Sequence, residues 1–266
     1  DAPTVASCPS NIVKNNDADK FGAVVTYATP TFNDNCGGLN KPGSLVLGLA
    51  SGSEFPLGTT PVEYWYFDPS GNGPAVCTFT VKVNDTQKPA ISCPSNVVVG
   101  INGTVTQGTA TLVSSGPCGV TLKYTAPAGT DNCSNPVTAN IGGLGAGPSY
   151  YQFGGTYTEI WQVTDGSGNT STCSFTVTVL DPVTPTITCP ANVTLNNDLG
   201  ECDAAVTYAY PYFGDNCPGY SLTQLSGPAS GAEFTVGTTP VSFKVTDNAG
   251  NSTVCAFTVT VGKSVV

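Results

Sequence analysis

The sequence predicts an all-β protein built of three tandem β-sandwich modules that are stapled by disulfides. Short runs of alternating apolar and polar residues, bounded by Gly, Pro, Asn and Asp, are typical of strands and turns. The 266 residues include 31 Gly, 21 Pro and 11 Cys. Small β modules bury little surface and often need covalent cross-links, which this number of cysteines supplies.

Three motifs recur along the chain and divide it into three repeats. They are Cys-Pro-x-Asn at Cys8, Cys93 and Cys189, Asp-Asn-Cys at Asp34, Asp131 and Asp215, and Asp-x-x-Gly-Asn at Asp68, Asp165 and Asp247. A repeat of this length is one structural unit used several times. We therefore predict modules at residues 1–85, 86–181 and 182–266, called repeats one, two and three below.

These motifs resemble those of the HYR (hyalin repeat) family of extracellular immunoglobulin-like modules. Repeat one also contains Gly-Ser-x-Phe-x-x-Gly-Thr-Thr-x-Val at residues 52–62, whereas repeat two replaces this segment and is the divergent copy. The resemblance implies immunoglobulin-like sandwiches that occur in tandem on surface and matrix proteins and serve adhesion or spacing. It implies no catalytic residue. About seven short strands per repeat independently fit such a sandwich.

Composition excludes several classes of function. The chain has no His and no Met, we find no Arg, and its formal net charge is −10. A basic footprint for nucleic acid is missing, a Ser-His-Asp triad cannot be built, and no run approaches the roughly 20 apolar residues of a membrane span. We predict a protein that is not an enzyme. Its many cysteines favour an oxidising, extracellular location, either secreted or at the cell surface.

The cysteines predict two disulfides in each complete repeat. Opening and closing strands of a sandwich can run side by side, so we expect Cys8–Cys77, Cys93–Cys173 and Cys189–Cys255. The remaining cysteines of repeats two and three would then pair as Cys118–Cys133 and Cys202–Cys217. Four cysteines allow three connectivities, so this pairing is a hypothesis.

Repeat one lacks one cysteine of this scheme. Aligning residues 15–27 with 196–208 places Phe21 where Cys202 stands, which leaves Cys36 without a partner. An odd cysteine in a secreted protein indicates a free thiol or an intermolecular bond. Cys36 is therefore either a buried thiol or a covalent link to another subunit or to a preceding module.

The same repeat places an aromatic pair on the outer face of a central strand. Alternation along residues 62–67 turns Tyr64 and Tyr66 toward the core and Trp65 and Phe67 outward. Exposed apolar patches often mark contact sites, and Trp is a frequent interface anchor. Either a loop of the same module covers the pair, or it contacts a partner, or it stacks on a sugar.

Repeated aspartates raise the possibility of calcium. Calcium takes six to eight oxygen ligands, which clustered Asp, Asn and carbonyl groups can supply. The alternative, which we favour, is that Asp and Gly-Asn shape turns. The candidate calcium ligands are Asp34, Asp68, Asp85, Asp131, Asp165, Asp181, Asp215 and Asp247.

The sequence thus predicts an extracellular structural protein, namely a stalk, fibre or filament subunit that self-associates head to tail. The alternative is an adhesin, or a carbohydrate- or protein-binding module of a larger surface or secreted protein. Expected partners are copies of itself, another surface protein or glycans, and not nucleic acid.

Overall fold

The computed structural model describes residues 1–35, 38–100, 103–133 and 135–264, and within these ranges it contains strands, turns and no α-helix. The predicted all-β fold class is confirmed. Cys36 lies outside the described residues, so its predicted role remains a prediction.

Repeat one forms three small sheets. Its strands are β1 Thr4–Ser7, β2 Ile12–Asn15, β3 Gly22–Val25, β4 Thr31–Asp34, β5 Gly38–Pro42, β6 Ser44–Leu47, β7 Ser53–Pro56, β8 Gly58–Tyr66 and β9 Ala75–Asn84. The sheet orders are β2–β9–β8–β6, β1–β4–β5 and β3–β7. The opening strand β2 runs parallel to the closing strand β9, which pairs antiparallel with β8 on its other side.

Repeat two carries the strands β10 Ala90–Ile91, β11 Val97–Val99, β12 Val105–Gln107, β13 Thr111–Gly116, β14 Gly119–Lys123, β15 Gly129–Thr130, β16 Val137–Gly142, β17 Ser149–Gln152, β18 Thr156–Thr164 and β19 Thr170–Val179. Strand β11 pairs parallel with β19 and antiparallel with β12. Strand β14 pairs with β13 and β17. The parallel pairing of opening and closing strands is therefore the same as in repeat one.

Repeat three returns to the pattern of repeat one. Its strands are β20 Thr186–Thr188, β21 Val193–Asn196, β22 Asp203–Ala205, β23 Tyr212–Gly214, β24 Ser221–Ser226, β25 Glu233–Thr235, β26 Gly237–Thr246 and β27 Ser252–Gly262. They form sheets in the orders β21–β27–β26–β24, β20–β23 and β22–β25.

Alternation along the closing strands builds the core, as the sequence predicts. In β9, Phe79, Val81 and Val83 are buried while the residues between them are partly or fully exposed. Strands β19 and β27 repeat the pattern with Phe175, Val177 and Val179, and with Phe257, Val259 and Val261. Successive side chains on a strand point to opposite faces, so this spacing fills one face with apolar groups.

The chain divides into two compact units. One comprises Asp1–Ser92, Pro127–Ala139 and Trp161–Cys173, and the other comprises Cys93–Ala126, Asn140–Ile160 and Ser174–Val266. The three-module boundaries at residues 85 and 181 remain a prediction from the sequence repeats.

Candidate functional site

The structure contains disulfides between the opening and closing strands, as expected. Cys8 is bonded to Cys77 with a Cα–Cα distance of 5.7 Å, and Cys189 is bonded to Cys255 with 5.6 Å. Cys93 and Cys173 each take part in a disulfide, and their predicted pairing with each other remains a prediction. Each such bond constrains the unfolded chain and contributes roughly 2–4 kcal/mol to stability.

The second set of predicted disulfides is wrong in this structure. Cys118, Cys133, Cys202 and Cys217 are free thiols, so neither Cys118–Cys133 nor Cys202–Cys217 is formed. The reason is positional, because Cys118 follows β13 at the tip of a hairpin and lies against the Asp-Asn-Cys loop of the next repeat. Its Sγ contacts the carbonyl oxygen of Asn216. The prediction assumed that cysteines pair within a repeat.

The Asp-x-x-Gly-Asn motif forms a closed turn. In repeat one, Asp68 Oδ1 accepts the backbone N–H of Asn72 at 2.7 Å, and Oδ2 accepts the side-chain Nδ2 of Asn72 at 2.7 Å. Gly71 has a φ of 86°, a left-handed conformation that favours glycine. Asp165 and Asp247 make the same pair of bonds to the Asn four residues later. Both carboxylate oxygens serve the turn, which favours the structural role of these three aspartates over calcium binding.

The first joint connects repeats one and two and consists of Lys20, Asp85, Asp131, Asn132 and Cys133. The carbonyl of Lys20 accepts hydrogen bonds from Asn132 Nδ2 at 3.0 Å and from Cys133 Sγ at 3.7 Å. One ligand atom each from Asp85, Asp131 and Cys133 lies within 4.8 Å of the others. Asp131 Oδ2 accepts the N–H of Cys133 at 2.8 Å, which fixes the loop.

The second joint connects repeats two and three and has the same construction. It consists of Pro117, Asp181, Asp215, Asn216 and Cys217. The carbonyl of Pro117 accepts hydrogen bonds from Asn216 Nδ2 at 3.2 Å and from Cys217 Sγ at 3.6 Å. Ligand atoms of Asp181, Asp215 and Cys217 again lie within 4.8 Å of one another. The two joints therefore repeat one arrangement of chemical groups.

Both joints contain buried oxygens that have no hydrogen-bond partner among the described residues. These atoms are Asp85 Oδ2, Asp131 Oδ1, Asn132 Oδ1 and Asp215 Oδ1. A buried carboxylate oxygen without a donor is unfavourable, because it loses its hydration without compensation. The donor set of each joint is thus rich in oxygen and could hold a divalent cation.

The surroundings of the joints disfavour negative charge. Burial and the neighbouring carboxylates raise the pKa of the Cys133 thiol to about 11. Burial and the adjacent Cys118 raise the pKa of the Cys217 thiol to about 12. Burial, followed by nearby aspartates, also raises the pKa of Asp181 above its ordinary value. Both buried thiols are therefore protonated at neutral pH while they remain reduced.

The predicted calcium ligands separate into three groups. Asp85 with Asp131, and Asp181 with Asp215, meet at the two joints. Asp68, Asp165 and Asp247 use their oxygens in their own turns. Asp34 is buried at the end of β4 in repeat one. The sequence names all eight aspartates as candidate ligands but does not predict that Asp85 meets Asp131 or that Asp181 meets Asp215.

The aromatic pair of repeat one lies where the alternation predicts. Tyr64 is buried, Trp65 is half-buried and Phe67 is 49% exposed. The Trp65 and Phe67 rings contact edge to face at a centroid distance of 6.3 Å, and Trp65 Nε1 donates to the carboxylate of Glu63. The pair thus forms a partly exposed aromatic surface.

Sequence reasoning missed a buried carboxylate in repeat two. Glu159 is fully buried and accepts hydrogen bonds from the hydroxyls of Tyr124 at 2.8 Å and Tyr151 at 3.0 Å. The backbone N–H groups of Leu144 and Gly145 add bonds of 3.0 and 2.9 Å. Alignment places Glu159 opposite core valines of the other repeats, and a lone acid at a core position was the available signal.

The fold and the disulfides place the chain among all-β proteins that are built of disulfide-linked repeats. The HYR domain family model matches residues 1–83 and 180–261, together more than half of the chain. The chain therefore belongs to the HYR domain family, as the sequence motifs predict. Family membership and the disulfides together identify an extracellular module of the adhesion type.

Known relatives agree with this assignment. The chain is 33% identical over 267 residues to hyalin of Strongylocentrotus purpuratus, which covers 97% of this chain and 21% of that protein. It is 28% identical over 268 residues to hyalin of Lytechinus variegatus, covering 97% and 47%. The chain thus spans well under two thirds of either relative.

Among solved structures, Drosophila N-cadherin EC1-3 aligns with a TM-score of 0.33 and 13% identity, over 96% of this chain and 99% of that chain. In the part of the chain that the structure describes, no helix has the length and apolar character to cross a membrane.

Proposed function

We propose that this chain is an extracellular structural protein, a stalk, fibre or filament subunit that associates head to tail with copies of itself. The observation that carries the proposal is the repeated joint. At each joint, the Asp-Asn-Cys loop of one repeat contacts a loop of the repeat before it. The contacted loop contains Lys20 at the first joint and Pro117 at the second. A contact that works twice within the chain is suited to a third use between chains.

The first and the last repeat of this chain each carry one half of such a contact. Repeat one contributes Asp34 and the exposed Asn35 of its own Asp-Asn-Cys motif. Repeat three contributes Glu201 and the exposed Cys202, which align with Lys20 and Phe21 of repeat one. These two surfaces differ, so their contact is heterologous, and a heterologous contact that does not close produces a filament.

A disulfide between copies of the chain would strengthen this contact, in line with the predicted role of Cys36. An intermolecular bond between Cys202 of one copy and Cys36 of the next would use the odd cysteine of repeat one. Cys36 is assigned here from the sequence alone. Trp65 and Phe67 are the second proposed contact of repeat one, because half-buried Trp side chains frequently anchor interfaces.

Electron microscopy of the native, unreduced full-length chain tests the proposal. We expect filaments, together with higher-order species in size-exclusion chromatography that decrease after reduction. Uniform separate particles at all concentrations would contradict self-assembly and leave a stalk or adhesin segment.

The partly exposed aromatic pair favours one alternative, an adhesin or a module that binds a glycan or another surface protein. The variant Trp65→Ala separates the two functions, with Tyr212→Ala as control because Tyr212 is an exposed aromatic residue of repeat three. Loss of assembly in Trp65→Ala alone supports a subunit contact. Unchanged assembly with lost binding on a glycan array supports the binding module. We propose no enzymatic activity, since the chain has no His for acid–base or nucleophilic chemistry.

A further inference from the structure

We infer that Cys118 and Cys217 form a disulfide that covalently joins repeat two to repeat three. This bond goes beyond the proposed function and does not depend on it, because both cysteines belong to one chain and to the same compact unit.

The geometry of the second joint carries the inference. Cys118 Sγ contacts the carbonyl of Asn216, the residue immediately before Cys217. Reciprocally, Cys217 Sγ lies 3.6 Å from the carbonyl of Pro117, the residue immediately before Cys118. Each sulfur therefore lies against the backbone that carries the other, which places the two cysteines side by side at the joint.

The first joint provides a natural comparison. There, Cys133 makes the same contact with the carbonyl of Lys20 that Cys217 makes with Pro117, at 3.7 Å. The residue after Lys20 is Phe21, however, and its side chain is 63% exposed. The two joints share their backbone contacts and differ in the residue that follows the accepting carbonyl. Only the second joint offers a pair of thiols.

The oxidation balances with a low-molecular-weight disulfide as oxidant, the kind of reagent present in oxidising compartments. One protein thiolate attacks this disulfide and releases one small thiol, which leaves a mixed disulfide on the protein. The second protein thiolate then attacks the protein sulfur and displaces the second small thiol. Overall, two protein thiols lose two electrons and two protons, and the small disulfide becomes two thiols.

The first test is a disulfide map of the full chain secreted into an oxidising compartment. The unfolded, unreduced protein is alkylated and digested, and the peptides are identified by mass spectrometry. We expect a linked pair of peptides that contain Cys118 and Cys217. Linkage of Cys118 to Cys133, linkage of Cys202 to Cys217, or alkylation of both Cys118 and Cys217 after incubation with oxidised glutathione would overturn the inference.

A variant of Cys118 makes the test independent of folding. Cys118→Ser should abolish the linked pair and free Cys217 for alkylation, while the Cys8–Cys77 and Cys189–Cys255 linkages persist and show that the fold is intact. Alkylation of Cys217 at the same extent in the parent chain and in Cys118→Ser would contradict the bond.

The matched gain-of-function variant is Phe21→Cys, with Phe21→Ser as control. If the residue after the accepting carbonyl decides whether a cross-link forms, Phe21→Cys should become linked to Cys133. Phe21→Ser should leave Cys133 open to alkylation. Complete alkylation of both residue 21 and Cys133 in Phe21→Cys, under oxidising conditions, would contradict the equivalence of the two joints on which the inference depends.

Discussion

Glu159 shows at the scale of a single residue how repeat two departs from its neighbours. The aligned residues of the other repeats are Val62 and Val241, both fully buried in apolar cores. A carboxylate in this place is tolerated because hydroxyl and backbone donors surround it. The divergence of repeat two in sequence is therefore accompanied by a polar network in its core.

The variant Glu159→Ala is expected to lower the free energy of unfolding by roughly 3–5 kcal/mol, because it leaves several buried donors without an acceptor. Glu159→Gln keeps the size and one acceptor oxygen, so its effect should be smaller. Denaturant unfolding followed by tryptophan fluorescence measures both. A loss below about 1 kcal/mol for Glu159→Ala would show that the network is not stabilising.

The Asp-x-x-Gly-Asn turn explains, at the scale of an element, why one stretch recurs three times. The Asp and Asn side chains close the turn, and the strand that follows fills the core with its alternating apolar residues. In repeats two and three the same Asn also reaches back to the segment before the repeat, since Asn169 donates to the carbonyl of Asp85 and Asn251 to that of Asp181. The turn therefore also anchors the segment that links successive repeats.

Acid should weaken this turn through Asp68. Hydrogen bonds from Asn72 lower the pKa of Asp68 below its ordinary value of 3.8. Between the lowered pKa and the ordinary pKa of Asp68, the unfolded chain binds more protons than the folded chain. The stabilisation is therefore fully present above about pH 4 and is lost as the pH falls through the lowered pKa. We expect the melting temperature to fall less steeply between about pH 5 and pH 2 in Asp68→Asn than in the parent chain.

Thermal unfolding at a series of pH values checks this expectation. Ser70→Ala, an uncharged change in the same turn, serves as the control and should keep the slope of the parent chain. Identical acid-side slopes for Asp68→Asn and the parent chain would contradict the role of the carboxylate.

Calcium binding at the joints is a property of the whole molecule, because each oxygen-rich joint contains residues of two successive repeats. Extracellular calcium modules bind with dissociation constants of about 10⁻⁴–10⁻³ M. If the joints bind calcium in this range, 1 mM Ca²⁺ should stabilise the protein by about 0.4–1.4 kcal/mol per site. The melting temperature should rise by roughly 1–5 °C relative to protein in EDTA.

The double variant Asp181→Asn, Asp215→Asn should lose the part of this shift that belongs to the second joint, and Mg²⁺ should replace Ca²⁺ poorly. The change from carboxylate to amide keeps the shape of the side chains. An equal melting temperature in EDTA and in millimolar Ca²⁺ would assign the aspartates of the joints to loop structure alone.

Local patterns in the sequence are sufficient to predict the all-β class, the family and the cysteines that link opening to closing strands, whereas the division into three modules remains a prediction. These features depend on local alternation, turn residues and motif spacing, all of which can be identified from residues that are close in sequence. The burial of Tyr64 and the outward position of Trp65 follow from the same period of two residues.

The surroundings of the remaining cysteines, Cys118, Cys133, Cys202 and Cys217, are visible only in the folded chain. Cys118 and Cys217 are distant in sequence and belong to different repeats, and their proximity depends on how one repeat continues into the next. Alignment within a repeat therefore paired Cys118 with Cys133, whereas the folded chain places it beside Cys217. For the same reason, the sequence identifies Asp181 and Asp215 as candidate ligands, whereas their proximity is visible only in the folded chain.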